Sequence, residues 1–421
     1  MNPRHCFTPV SVRMKLLFDK ERHMTAQSTT SNEAALQDKI TFQLSLYANL
    51  INGEENDGNL EHLLQQRIQD NLDINRGVIG GWEIVWGPGI EVFPTDLYAR
   101  NVLYMVRSTD DPSRYVIAVA GSTDGPFDWL VENFLIGQIP WLAYPAARYT
   151  TGAAIGVNIL SKITPSGDRP GAGRTLHAFL GALDHTDIDL TVTGHSLAGV
   201  LSPTLALLLR DTQQLWDPSE KARVSVLSTA GPSFGNPEFV AYATQRLQRV
   251  RRYANSLDVI PNVWNPDDID RAKTFYSDNN LPAPWPGLFD LIKQASNSGQ
   301  YAHLDSTNGV FQGTFNTEVT DYLKQVGYQH IGGYRQFFEI PGVSWPVAIP
   351  AGVGDTGIGR IAALAGGPLG DGIGKAPENR RPLTAPINGQ PVELPTDPDS
   401  REAGKLVDLV TAEIDPTADV S

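Results

Sequence analysis

The sequence predicts an α/β protein with a mostly parallel central sheet flanked by helices, and three observations predict it. Short β-rich runs recur through the middle of the chain. Helical or turn-rich stretches of crossover length separate the later runs, and one run passes through a tight Gly-His-Ser turn straight into helix-forming sequence. Parallel strands require such crossovers, because the chain must return to the same end of the sheet before it can pair again.

Taken in order, residues 1–29 mix Pro, charge and Ser/Thr without period and read as a flexible N-terminal tail. Thr30 and Glu33 form a T-x-x-E capping box, after which Leu36, Ile40, Leu44, Tyr47 and Ile51 recur at helical spacing until Gly53 supplies a stop. A second helix is expected over about 59–72, with Leu60, Leu64, Ile68 and Leu72 on one face for packing against a sheet. From Gly80 the pattern becomes WEIVW (82–86), NVLYMVR (101–107) and YVIAVAG (115–121), the last nearly all apolar and so a central strand. LTVTG (190–194), VSVLS (224–228) and RRYAN (251–255) supply further strands, giving a sheet with mixed edges. After about Pro341 the composition turns to Gly, Pro and Ala, with a short amphipathic stretch at 401–414. The expected organisation is a tail (1–29), one α/β domain (30–345) and a Gly/Pro-rich C-terminal extension (346–421). The segment GGPLGD (366–371) is one defective copy of a calcium-binding nonapeptide, too little to stack, and no metal is expected.

Composition narrows the function. The 33 Lys and Arg against 47 Asp and Glu give a net charge of −14, with 41% hydrophobic residues in 421. Such a chain lacks the basic face that nucleic acid or an anionic bilayer requires, so neither is an expected partner. Cys6 is the only cysteine, which excludes an internal disulfide. The apolar run Leu16–Phe18 is far shorter than the roughly 7–15 residues of a signal-peptide core. Leu190–Leu209 is long enough to span a bilayer, but Gly194, His195, Ser196, Gly199 and Pro203 suit a strand, turn and helix instead. The sequence therefore reads as cytoplasmic, with export by an unrecognised route left open.

The most informative segment is DLTVTGHSLAGV (189–200), a β-branched strand entering Gly194-His195-Ser196-Leu197-Ala198-Gly199 and then LSPTLALLLRD. A serine on a strained strand-to-helix turn presents its hydroxyl as a nucleophile, and small flanking residues let the strand and helix approach closely. This turn resembles that of the class 3, or fungal-type, triacylglycerol lipases, which commonly reads T-G-H-S-L-G-G, and the resemblance spans about 101–338. The chain departs from it at Ala198, where one added methyl is tolerable. The resemblance implies an α/β-hydrolase fold and a serine-dependent carboxylic ester hydrolase that cleaves acylglycerols through an acyl-enzyme without a cofactor. Phospholipase A1 or carboxylesterase action on soluble or aryl esters is the alternative, and a catalytically silent α/β-hydrolase-fold binding protein a remoter one.

Acyl transfer needs two backbone N–H donors for the oxyanion, one of them from the residue after the nucleophile, here Leu197. In VIAVAGSTDGPFDWL the resemblance to a strand ending in R-G-[S/T] places the second at Ser122, with Ala120 replacing the family's Arg. The fold orders its triad Ser, Asp, His. Of the histidines at 5, 23, 62, 177, 185, 195, 303 and 330, only His303 and His330 follow the serine at a distance. GYQHIGGYRQF is similar to the family's G-x-x-H-x-G element on a loop before the last strand, which favours His330 as base. Asp258 in RRYANSLDVIPN resembles the family's N-x-x-D-x-[V/I]-P and is the expected acid, whereas Asp267, Asp268 and Asp270 suit a solvated loop. STAGPSFGNPEF (228–239) resembles a supporting loop of the same family.

Apolar and aromatic residues crowd Pro126–Tyr144, where the resemblance implies an amphipathic lid; ordinary core under a helix suits them equally. Leu281–Ile292, with Pro282, Pro284 and Pro286, is a candidate wall for an acyl pocket. The implied partner is a lipid or small-molecule ester, met through an apolar surface with transient contact at a lipid interface.

Overall fold

Trp82–Glu91 (β1), Asn101–Ser108 (β2) and Arg114–Val119 (β3) form an antiparallel meander. Gln138–Trp141 (β4) and Tyr144–Thr150 (β5) pair as a separate hairpin. Asp189–His195 (β6), Arg223–Thr229 (β7), Arg249–Asn255 (β8) and Val310–Phe311 (β9) add parallel to β3, giving a seven-stranded sheet in the order β1-β2-β3-β6-β7-β8-β9. Every strand expected from the sequence is present within a few residues. The computed structural model describes residues 32–340, apart from 53, 55–56, 92–100, 122–136, 185–186, 284–285, 297–299 and 305–308, together with 384–387 and 390–393.

Two apolar layers hold the sheet, one on each face. Val102, Tyr104, Val106, Val116 and Ala118 pack beneath a helix at 32–47 (α1) and Leu60–Ile74 (α2). Leu103, Met105, Ile117, Leu190 and Val192 pack on the other face against Thr151–Lys162 (α3) and Ala198–Asp211 (α4). This alternation is the period-2 geometry of a strand buried on both sides. In α2 the expected stripe Leu60, Leu64, Ile68 and Leu72 is buried, each side chain contributing roughly 2 kcal/mol. No side chain caps this helix, so its apolar face holds it in place.

The first helix differs from expectation. Thr30 of its capping box lies outside the described residues, α1 ends at 47 and turns follow it, and Leu36 is exposed. Phe42 and Leu46 form a second buried flank that meets Tyr253, Tyr334 and Phe338. The helix lies between two clusters, so a single-stripe reading captured one side of it.

Of the segment expected as lid or core, 126–136 lies outside the described residues; in the described part Ile139 and Trp141 are buried, while Leu142 and Tyr144 are exposed. Ile139 and Trp141 are buried among Tyr149, Phe234, Phe239, Val200 and Leu207. Trp141 Nε1 donates to Asp211 Oδ2 at 2.7 Å, at the last residue of α4. At 1.5 Å per residue that point is about 20 Å from the beginning of the helix. Around the candidate acyl wall, Pro286–Ser296 (α5) is helical, and Phe289 with the partly buried Leu281, Ala283 and Ile292 packs against Val259, Ile269 and Tyr276. These side chains brace the turn at 257–259, where Tyr276 Oη donates to Leu257 O at 2.7 Å. In the C-terminal extension, Thr384–Ile387 (β10) and Gln390–Glu393 (β11) pair antiparallel, and 401–414 lies outside the described residues, as does 1–29. No helix among the described residues is long and apolar enough to cross a membrane.

Candidate active site

Ser196 stands between the end of β6 and the start of α4 with φ +64°, a left-handed conformation that costs a non-glycine residue roughly 1–2 kcal/mol. Its neighbours hold it there. Ser196 N donates to Thr229 O of β7 at 3.0 Å, and Gly199 N closes the turn onto Ser196 O at 2.8 Å. A Cβ on Gly199 would lie 2.7 Å from Gly231 N, Gly231 Cα and Thr229 O, and one on Gly194 would lie 2.5 Å from Ala198 O. Only glycine fits at these two points. The Ala198 methyl, fully buried, lies where a side chain on Gly194 would have to go, so the departure from the resembled motif is accommodated by the glycine opposite.

Asp258 follows β8 through an Asx turn: Leu257 N donates to Asn255 Oδ1 at 3.0 Å, and Asp258 N to Asn255 O at 3.0 Å. The carboxylate is 0% exposed. Its Oδ1 accepts from Ile260 N at 3.0 Å, and its Oδ2 lies 2.8 Å from His330 Nδ1.

His330 sits on a π-helical turn, Tyr328–Gly332, between Tyr322–Gly327 (α6) and Gly333–Phe337 (α7), not on a loop before a last strand. Gly332 and Gly333 suggested a loop in the sequence, yet both have helical backbone angles. His330 Nε2 lies 2.8 Å from Ser196 Oγ. With Nδ1–H donated to the carboxylate, Nε2 presents its lone pair to the serine hydroxyl. Three side chains from three separate segments thus form one unbroken hydrogen-bonded chain, an arrangement able to take the serine proton.

His303 is elsewhere. Its Nε2 lies 2.6 Å from Asp268 Oδ2, and Asp268 also pairs with Arg271. Asp268 is 8% exposed, so the solvated-loop reading fails for it, while Asp267 and Asp270 are exposed. Charge pairing explains the burial.

Leu197 has helical angles and opens α4, so its N–H is among the first donors at the positive end of the helix dipole. Ser122 lies outside the described residues. Its neighbour Gly121 abuts the nucleophile turn: Gly121 N donates to Asn49 Oδ1 at 3.1 Å, and a Cβ there would lie 2.7 Å from His195 O. Among the described residues no group of three or more His, Cys, Asp or Glu side chains is arranged to hold a metal ion.

Two neighbours of the site carried no sequence assignment. His195 is buried with its ring centroid 4.9 Å from His330, 5.0 Å from Tyr334 and 5.8 Å from Phe42. Burial, reinforced by the nearby His330, pushes its pKa well below the ordinary histidine value, so it stays neutral beside a ring that must accept a proton. Tyr334 is fully buried, and its Oη accepts from Asn255 N at 2.9 Å. Neither role follows from a local motif, because both depend on packing between distant segments.

Residues 173–267 match the model of the family described as Lipase (class 3), a segment that contains Ser196 and Asp258 and ends before His330. Among solved structures the chain is similar to M37 lipase at 25% identity, over 72% of this chain and 91% of that one, with a TM-score of 0.64. It is also matched to the Rhizomucor miehei triacylglyceride lipase at 16% identity, over 56% and 74% of the two chains, with a TM-score of 0.37. Comparison with curated proteins finds no match. Over residues 173–267 the chain thus matches the class 3 lipase family, and the sheet that frames this segment is that of an α/β-hydrolase.

Proposed function

We infer that the protein is a serine-dependent carboxylic ester hydrolase, a lipase that cleaves acylglycerols through an acyl-enzyme. The observation that carries the residue roles is the chain Ser196 Oγ, His330 Nε2, His330 Nδ1, Asp258 Oδ2, with both links at 2.8 Å. Ser196 attacks the ester carbonyl while His330 removes its proton. His330 then protonates the departing alcohol, and a water activated by the same ring releases the acid. Asp258 fixes the tautomer and stabilises the imidazolium. The N–H groups of Leu197 and Ser122 are assigned to the oxyanion. The charge of −14 favours a neutral ester over an anionic phospholipid, with contact at the lipid interface transient and apolar.

The test combines an active-site phosphonate with esters of increasing acyl length. The label is expected on Ser196, with the rate rising sharply once the ester exceeds its solubility. Ser196→Ala is expected to lose on the order of 10⁶ in turnover, and retention within about tenfold of wild type overturns the nucleophile assignment. Labelling of Ser196 without a rise at the solubility limit places the enzyme among esterases of soluble substrates.

A further inference from the structure

The segments that supply Asp258 and His330 are joined through one side chain. Asn255, the last residue of β8, is 0% exposed. Its Oδ1 accepts from Leu257 N at 3.0 Å, inside the turn that presents Asp258. Its Nδ2 donates to Gln329 O at 2.9 Å and to Gln329 Oε1 at 2.7 Å, on the residue before His330. Its backbone N–H donates to Tyr334 Oη at 2.9 Å, one turn beyond His330. Gln329 is anchored in turn, its Nε2 donating to Thr314 O at 2.8 Å. The surrounding backbone is shaped to this amide: a Cβ on Gly313 would collide with its Oδ1, and a Cβ on Gly333 with its Nδ2.

We propose that Asn255 is a positioning residue that sets the register of the His330 turn against the Asp258 turn, and so the 2.8 Å contact between base and acid. The proposal rests on the reading of Asp258 and His330 as acid and base. The chemistry requires an amide. One oxygen must accept an N–H while the adjacent nitrogen gives two hydrogens to oxygen acceptors, which neither a carboxylate nor a hydroxyl does. Asn255, Gln329 and Tyr334 are all buried, so each partner lost among them leaves a polar atom without water to replace it. The turn that carries His330 is π-helical, a rare geometry that occurs mostly as single turns and often at functional sites.

The experiment uses the full chain with Asn255→Ala and with Asn255→Asp. The aspartate keeps the acceptor for Leu257 N but turns an oxygen toward two oxygens of Gln329. Active sites are counted by phosphonate labelling carried to completion, and kcat, KM and the pH profile of kcat/KM are measured on a soluble aryl ester. A misplacement of about 1 Å in such a site costs about 10²-fold, so kcat per titrated site is expected to fall about 10²-fold with KM nearly unchanged. The acidic limb of the Asn255→Ala profile is expected to move to lower pH, because an imidazolium held less well by Asp258 loses its proton more readily. A merely structural role lowers the melting temperature and the titratable fraction but leaves kcat per site and the limb at wild-type values, and that outcome overturns the proposal. If the Asn255 variants do not fold, Gln329→Met decides. A fall of about tenfold in kcat with the same limb shift supports the clamp, since a buried polar group left unsatisfied costs an amount that corresponds to about tenfold or more; wild-type kinetics overturn it. His330→Ala separates the two layers. Wild-type kcat in that variant refutes the triad itself, whereas an inactive His330→Ala beside wild-type Asn255 variants refutes only the clamp.

Discussion

Asp258→Asn removes one charge and adds one N–H without changing size, and the surroundings of Asp258 fix what must follow. Oδ1 takes the Ile260 N–H at 3.0 Å and Oδ2 faces His330 Nδ1 at 2.8 Å, in a fully buried position. An amide satisfies only one of these. If its oxygen keeps the Ile260 N–H, its NH₂ meets Nδ1 and drives the ring to the tautomer with hydrogen on Nε2, aimed at Ser196 Oγ. If it flips, its NH₂ meets the Ile260 N–H donor to donor. Loss of the carboxylate alone removes the attraction between unit charges about 4 Å apart, which at an effective dielectric of about 20 is about 4 kcal/mol, or about 10³-fold at 1.4 kcal/mol per decade. The wrong tautomer raises the loss toward about 10⁴-fold, the usual cost of this exchange in a serine triad. The expected result is a kcat lowered by about 10³–10⁴-fold with KM unchanged, measured on a soluble ester and normalised to labelled Ser196; Asp267→Asn, on an exposed side chain, serves as the control. Retention of more than about one tenth of wild-type kcat would refute the assignment of Asp258 and the electrostatic reasoning with it.

Three further outcomes are expected. Ser196→Gly relieves the left-handed strain that Ser196→Ala retains, so the glycine variant should be the more stable of the two inactive proteins by up to about 1 kcal/mol in urea denaturation, and equal midpoints would remove the claim of strain. Gly199→Ala places a methyl against backbone atoms of Gly231 and Thr229, which can yield only by moving α4 off β7; stability should fall by about 1–3 kcal/mol, and an unchanged midpoint contradicts the close packing. Burial pushes His177 down to about 4, so the unfolded chain takes up a proton near pH 6.5 that the folded chain refuses until about pH 4. Its contribution is therefore complete above pH 6.5 and is lost as the pH falls through that window. His177→Gln should flatten the decline of stability there by up to about 1.4 kcal/mol per pH unit, and an identical slope would show that His177 titrates normally.

Much of the fold was legible because burial writes a period into each strand and helix. The strand LTVTG and the α2 stripe are local statements, and each appears where the period places it. The nucleophile turn was legible for a different reason: the two glycines around one serine, Gly194 and Gly199, are demanded by backbone contacts under 3 Å, which no larger side chain survives. Histidine was harder. Two candidates followed the serine at a distance, and only a resemblance ranked one above the other. In the structure His303 is committed to Asp268 and His330 to Asp258. Within the apolar run 126–144, which suits a lid and ordinary core equally, the described part belongs to a hairpin tied to the far end of α4. Amphipathic sequence specifies a buried face but not what buries it.

By itself, then, the sequence determined six strands of the central sheet, the α2 stripe, the strained serine turn and the acidic, single-cysteine character of the chain, since each depends on composition or on neighbours within a few residues. Tertiary structure alone decided which histidine meets Ser196, that the histidine rides a π-helical turn, that His195 stays neutral beneath it, and that Asn255 ties the Asp258 turn to the His330 turn. Those contacts join residues 72, 74 and 134 positions apart. Hydrogen bonds and buried charges act over a few ångströms of space whatever the separation along the chain, and only the folded sheet brings these groups within that range.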